Sequence, residues 1–164
     1  MIIALILFSI LELMDCLNLP TYQVNVKSEG EKKYIFDRVR KKYVALTPEE
    51  WVRQHFINYL ISEKQFPESL ISVELAFGVN KTKKRSDIVA FNRFGNPIMI
   101  VECKASSVKI DQSVFDQIAR YNMKFKVPYL VVTNGINHYC CKLNIEAHTY
   151  AFMEIIPDYQ KIND

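Results

Sequence analysis

The stretch SDIVAFNRFGNPIMIVECK, residues 86–104, decides the fold. It contains two β-type runs, Ser86 to Phe91 and Ile98 to Cys103, joined by a turn that holds Gly95, Asn96 and Pro97. Ile98, Met99, Ile100 and Val101 are continuously apolar, which predicts a central strand covered on both faces rather than an edge strand with one wet side. If the loop is centred between Phe94 and Gly95, Asp87 and Glu102 fall opposite each other, with Cβ atoms roughly 5 Å apart. Glu102 and Lys104 are two residues apart and share a face of their strand. Two acids and a lysine are thus expected together at one strand end.

Upstream, Thr47, Pro48 and Glu50 spell a helix start, with Thr at the cap, Pro at the first helical position and Glu as a capping box. The helix is predicted to reach about Ser62, burying Val52, Phe56, Tyr59 and Leu60. Before it, Tyr34 to Phe36 and Tyr43 to Leu46 read as a β-hairpin arm around the charged turn Asp37 to Lys42. Ile71 to Phe77 reads as a further strand. Downstream, Asp111 to Phe125 is predicted helical with a stripe of Val114, Ile118, Tyr121 and Phe125. Strands are expected at Tyr129 to Thr133, near His138 to Leu143 and at Tyr150 to Glu154. A helix between two strands makes the crossover of a parallel pair, so the class is α/β, a mixed central β-sheet flanked by helices.

The chain has 164 residues, enough for one core and too few for a second enzymatic domain. We divide it into an apolar extension outside the fold (1–13), an arm (14–46), the core (47–159) and a tail (160–164). The extension is about half the length of a membrane span and lacks the basic flank of an export signal, so neither membrane nor export is expected. Translation is expected to begin at Met14. Cys16, Cys103, Cys140 and Cys141 show no zinc spacing and read as free thiols in a reducing cytoplasm. The net charge of +3 is too small to name a partner, so position must decide.

Like charges as close as Asp87 and Glu102 need a cation or a shared proton to hold them. Oxygen donors suit Mg²⁺ or Mn²⁺, which leaves Lys104 to position water or stabilise developing charge. The simpler reading makes Asp87 a strand-start acid and Glu102 and Lys104 a solvated pair. The apolar run leading into Glu102 argues against it.

Ser86-Asp87, Glu102-x-Lys104 and Gln117-x-x-x-Tyr121 together resemble the PD-(D/E)xK nucleases, whose core is restriction-endonuclease-like. More narrowly, residues 19–159 resemble the N-terminal nuclease domain of type I restriction enzyme R subunits, through TPEEWVRQ (47–54), KKRSDIV (83–89), IVECKA (100–105) and FDQIARYNM (115–123). The resemblance implies a metal-dependent DNA nuclease. It makes Asp87 and Glu102 metal ligands, the Cys103 carbonyl a third, Lys104 the catalytic lysine, and Gln117 and Tyr121 residues that support the site. Ser86 stands where that motif has proline. No G-x-x-x-x-G-K-[ST] loop is present, so no nucleotide cofactor and no helicase motor are expected.

Other residues bear on the same chemistry. Gln117 lies at the edge of its helix stripe, whereas Tyr121 falls on the stripe, where core packing and a site role both stay open. Glu49 shares a face with Val52, Phe56 and Leu60 and is a candidate metal or water contact; Glu74 is a weaker one. Lys81, Lys83, Lys84 and Arg85 immediately precede Asp87 and are candidates for DNA phosphates, while Arg38, Arg40, Lys41 and Lys42 on the arm divide evenly between that role and plain solvation. A homodimer is expected for duplex breaks, since one such core cuts one strand. The rival class is a catalytically silent nucleic-acid-binding or protein-interaction module on the same fold.

Overall fold

The computed structural model describes residues 16–76 and 85–162, with the backbone but not the side chain of Tyr121. The extension 1–13 and Lys81, Lys83 and Lys84 lie outside the described residues. Six strands form the main sheet: β4 (Ile71–Ala76), β5 (Arg85–Phe91), β6 (Pro97–Cys103), β7 (Tyr129–Thr133), β8 (His138–Asn144) and β9 (Thr149–Met153). They lie in sequence order, and β6 and β7 are parallel while the other neighbours are antiparallel. Three strands upstream, β1 (Val26–Glu29), β2 (Lys32–Asp37) and β3 (Lys42–Ala45), make a separate antiparallel sheet. The arm therefore has one strand more than the expected hairpin, because β1 carries too little apolar alternation to announce itself.

The apolar run of β6 is buried on both faces as predicted. Met99, Val101 and Cys103 pack with Ile88, Val131 and helix α1 (Pro48–Ser62), through Val52, Phe56 and Leu60. Ile100 packs on the other face with Val89, Leu130, Val132 and helix α2 (Gln112–Asn122), through Phe115 and Ala119. Helix α2 is the crossover between the parallel pair. Its buried face is turned from the one expected: Phe115, Ala119 and Asn122 are buried, whereas Val114, Ile118 and Phe125 are only half-buried. The Phe115 ring sets this rotation, since it packs 5.4 Å from the ring of Tyr150 and 4.8 Å from that of Phe152, and the small Ala119 lets the helix approach the sheet.

Helix α1 starts as its sequence predicts, with Thr47 Oγ1 accepting the Glu50 N–H at 3.0 Å and Pro48 at the first position. A short helix α3 (Tyr159–Ile162) closes the described chain, and it takes in residues 160–162 that were expected to be tail. Tyr159 and Ile162 are buried in the same core as Phe66, and the Tyr159 N–H donates to the Lys64 carbonyl at 2.9 Å. Among the described residues no helix is long and apolar enough to cross a membrane.

Cys140 and Cys141 point to opposite faces of β8, one into each core, and neither they nor Cys103 and Cys16 form a disulfide. Burial pushes the Cys140 thiol up to about 11 and the Cys141 thiol up to about 12, and raises Cys103 well above the ordinary value. Reactivity follows the thiolate. Iodoacetamide is therefore expected to label the native protein once, at exposed Cys16, and to label all four cysteines after unfolding. Intact-mass measurement checks both counts.

Candidate active site

The register of β5 and β6 runs Ile88↔Val101, Val89↔Ile100 and Ala90↔Met99 before slipping at Phe91↔Pro97. Carried one residue outward, the same offset sets Asp87 across from Glu102. The slip lies on the loop side of these pairs and leaves that juxtaposition intact. On the far side of β5, Val73 pairs with Ile88 and Leu75 with Ser86, so Glu74 sits in the gap beside Asp87. Glu74 has φ of 54°, a left-handed conformation that costs a glutamate about 1–3 kcal/mol. Three acids thus lie abreast on three adjacent strands.

Lys104 follows the end of β6, and its N–H donates to the Thr133 carbonyl at 2.8 Å, continuing the parallel ladder with β7. The cluster lies at the C-terminal end of the parallel strand β6, where open α/β sheets commonly bind ligands. Glu102 is buried, and Asp87 is nearly so, with 14% of its side chain exposed. Asp87 Oδ2 accepts the Cys103 N–H at 2.7 Å. That bond fixes the Asp87 carboxylate against the backbone of the strand that carries Glu102.

A buried arginine, which the sequence reading passed over, completes the cluster. Arg53 on α1 donates to Asp87 Oδ1 at 2.8 Å and to Glu49 Oε1 at 3.1 Å, and it also pairs with Glu50. Burial alone would lower its pKa, but the carboxylates of Asp87 and Glu50 outweigh that and hold it above the ordinary arginine value. Glu49 is pushed up, first by burial and then by the charge of Asp87, while Arg53 and Lys104 pull the other way. Glu49 therefore belongs to the same electrostatic neighbourhood. The signal for Arg53 was present: it follows Glu49 by four residues and precedes Phe56 by three, a charge on the buried stripe.

Glu50 fulfils only half of its capping box. Its N–H is capped, but its buried carboxylate accepts from Arg40 Nη2 at 2.9 Å and Gln54 Nε2 at 2.8 Å as well as from Arg53. Arg40, from the β2–β3 turn of the arm, also donates to Asp37 Oδ2 at 2.5 Å and Glu74 Oε2 at 2.7 Å. This disposes of the even choice left for Arg40, which is committed to carboxylates. Arg38 and Lys41 both pair with Glu68. Five carboxylates, from Asp37, Glu49, Glu50, Glu74 and Asp87, share two guanidinium groups, and Glu102 lies beside them.

The remaining predicted residues are more dispersed. Arg85 opens β5 and is exposed. Gln117 is on an exposed position of α2, and its side chain makes no hydrogen bond with the acids among the described residues. Tyr121 lies one turn further along the same helix.

With this geometry in place, comparison with known proteins places the chain in a family. Residues 48–157 match the model of the type I restriction enzyme R protein N terminus. The chain belongs to that family. Its fold is similar to that of a fragment structure named as an HsdR subunit of a type I restriction enzyme from Vibrio vulnificus YJ016, with a TM-score of 0.51 and 17% sequence identity. The match covers 71% of this chain and 24% of that one, so the chain spans about a quarter of the length of the protein it matches. No curated protein matches the chain significantly.

Breaking a buried ion pair from one side leaves the partner charge uncompensated, at a cost of about 3–5 kcal/mol. Arg40→Met strips Asp37 and Glu50 of such a partner, and is expected to lower stability by about that amount in urea denaturation. Arg40→Lys is expected to recover part of the loss.

Proposed function

We propose that this R-protein N-terminal domain is a metal-dependent deoxyribonuclease that hydrolyses phosphodiester bonds with Mg²⁺ or Mn²⁺. The observation that carries the reading is the β5–β6 register, whose offset carried one residue outward sets Asp87 across from Glu102, with Lys104 two residues on. The donor chemistry fits the ion. Among the described residues no three His, Cys, Asp or Glu side chains are spaced to enclose a metal. Mg²⁺ keeps several waters and takes only one or two carboxylates, so Asp87 and Glu102, with the Cys103 carbonyl, are a sufficient hard-oxygen set. The excess of carboxylates over guanidinium groups leaves negative charge that favours a cation.

Bound there, such an ion would polarise a phosphoryl oxygen and help generate hydroxide. The rest falls to the chain. In this reading Lys104 holds the attacking water or balances charge developing on the phosphate, and partly exposed Glu49 orients water from the helix side. Arg85, with Lys81, Lys83 and Lys84, would grip backbone phosphates ahead of Asp87, and Gln117 and Tyr121 would extend that grip from α2. A homodimer would supply the second cut of a duplex break.

One observation favours the rival reading, a silent binding module: Arg53 already gives Asp87 a counter-charge without a metal. Cleavage decides between them. Supercoiled and linear DNA incubated with Mg²⁺ or Mn²⁺ should be cut by the wild type, and Lys104→Ala should lower the rate by about 10²–10³-fold, the usual cost of losing one transition-state donor. Equal cutting by the variant contradicts the assignment, and metal-independent binding without cleavage supports the module.

A further inference from the structure

The acids of the site are not bare. Arg53, 6% of whose side chain is exposed, spans Asp87, Glu49 and Glu50. An arginine so placed supplies charge where the proposed ion would supply it. Its contact with Asp87 Oδ1 uses one of the two oxygens that an ion would need, and the other is taken by the Cys103 N–H.

We propose that Arg53 is a positioning residue that acts as the resident counter-cation of Asp87, holding the carboxylate in place until a divalent ion exchanges with it. The inference rests on the nuclease reading and says how the same site is kept assembled and is loaded. Three features support exchange rather than a permanent strut. First, the hold on Asp87 comes from one nitrogen, Nη2, which is shared with Glu49 at 3.1 Å, so the fork can leave Asp87 and remain paired with Glu49 and Glu50 on its own helix. Second, Arg53 Nε is buried with no hydrogen-bond partner among the described residues, so the guanidinium is not fully satisfied where it sits. Third, the neighbouring acids have another cation. Arg40 carries Glu50 and Glu74, so Arg53 can shift without stranding Glu50.

A strut and an exchangeable counter-ion predict opposite metal affinities. A guanidinium against Asp87 repels an arriving dication, so removing it should tighten metal binding even as it loosens the fold. The test is titration of Mn²⁺ into the full chain without DNA, by calorimetry or by the loss of the free Mn²⁺ paramagnetic resonance signal. Arg53→Gln is expected to bind Mn²⁺ about tenfold or more tightly than wild type. Arg53→Lys keeps the charge but not the two-pronged fork, and is expected to shift the affinity in the same direction by a smaller factor, which keeps the test open should the glutamine variant fail to fold. Asp87→Asn should abolish binding in both backgrounds. Mn²⁺ binding that depends on Asp87 yet is unchanged or weaker in the Arg53 variants overturns the exchange and leaves the nuclease reading standing. A wild type that binds no Mn²⁺, or that binds it no better than Asp87→Asn, removes both.

Discussion

The repulsion between acids brought abreast at the ends of β4, β5 and β6 is the constraint around which the rest of the domain is arranged. Strand pairing alone creates it, because a register of 88 with 101 leaves Asp87 facing Glu102, and a register of 73 with 88 and 75 with 86 sets Glu74 beside Asp87. A sheet with these charges at its end needs positive charge supplied from outside the sheet. Helix α1 provides it with Arg53, and the arm provides it with Arg40. The arm is therefore an integral wall of the site, tied to α1 through Asp37, Gln54 and Glu50.

This explains the composition of α1. A helix covering one face of a sheet usually shows an apolar stripe and a polar outer face. Here Glu50, Arg53, Gln54 and His55 are buried along with Val52, Phe56 and Leu60, because the sheet lies on one side of the helix and the arm on the other. Burying these groups is tolerable because Glu50 takes both Arg53 and Gln54 as partners and His55 Nδ1 donates to the Trp51 carbonyl. The same network holds the Glu50 carboxylate between the arm and α1, through Arg40, Arg53 and Gln54.

The sequence disclosed the sheet end more readily than its surroundings. Asp87 against Glu102 follows from loop length and strand parity, which are local, and the bulge at Phe91 and Pro97 does not reach them. The cover on both faces of β6 follows from four apolar residues in a row. The start of α1 follows from Thr47 and Pro48. What escaped depends on distance. Arg53 meets Asp87 across 34 positions, and Arg40 meets Glu74 across the same number, so neither pairing leaves a local pattern. Helix α2 turned on its axis because the Phe115 ring has partners on β9, which periodicity within the helix cannot weigh. The family likeness reached further, since it reads trio, helix and strand order together, and the match over residues 48–157 agrees with it.

The central claim is that Asp87 and Glu102 form one cation site. Thermal melts of wild type, Asp87→Ala and Glu102→Ala, each in EDTA and in Mg²⁺, test it most directly. Asp87→Ala also takes a partner from Arg53, so the quantity to compare is the gain on adding the ion, not the stability in EDTA. An ion that binds only the native state adds roughly 2.7 kcal/mol at about 100 times its dissociation constant. The account predicts that gain for the wild type and much less for both variants. Equal gains in all three proteins would contradict it.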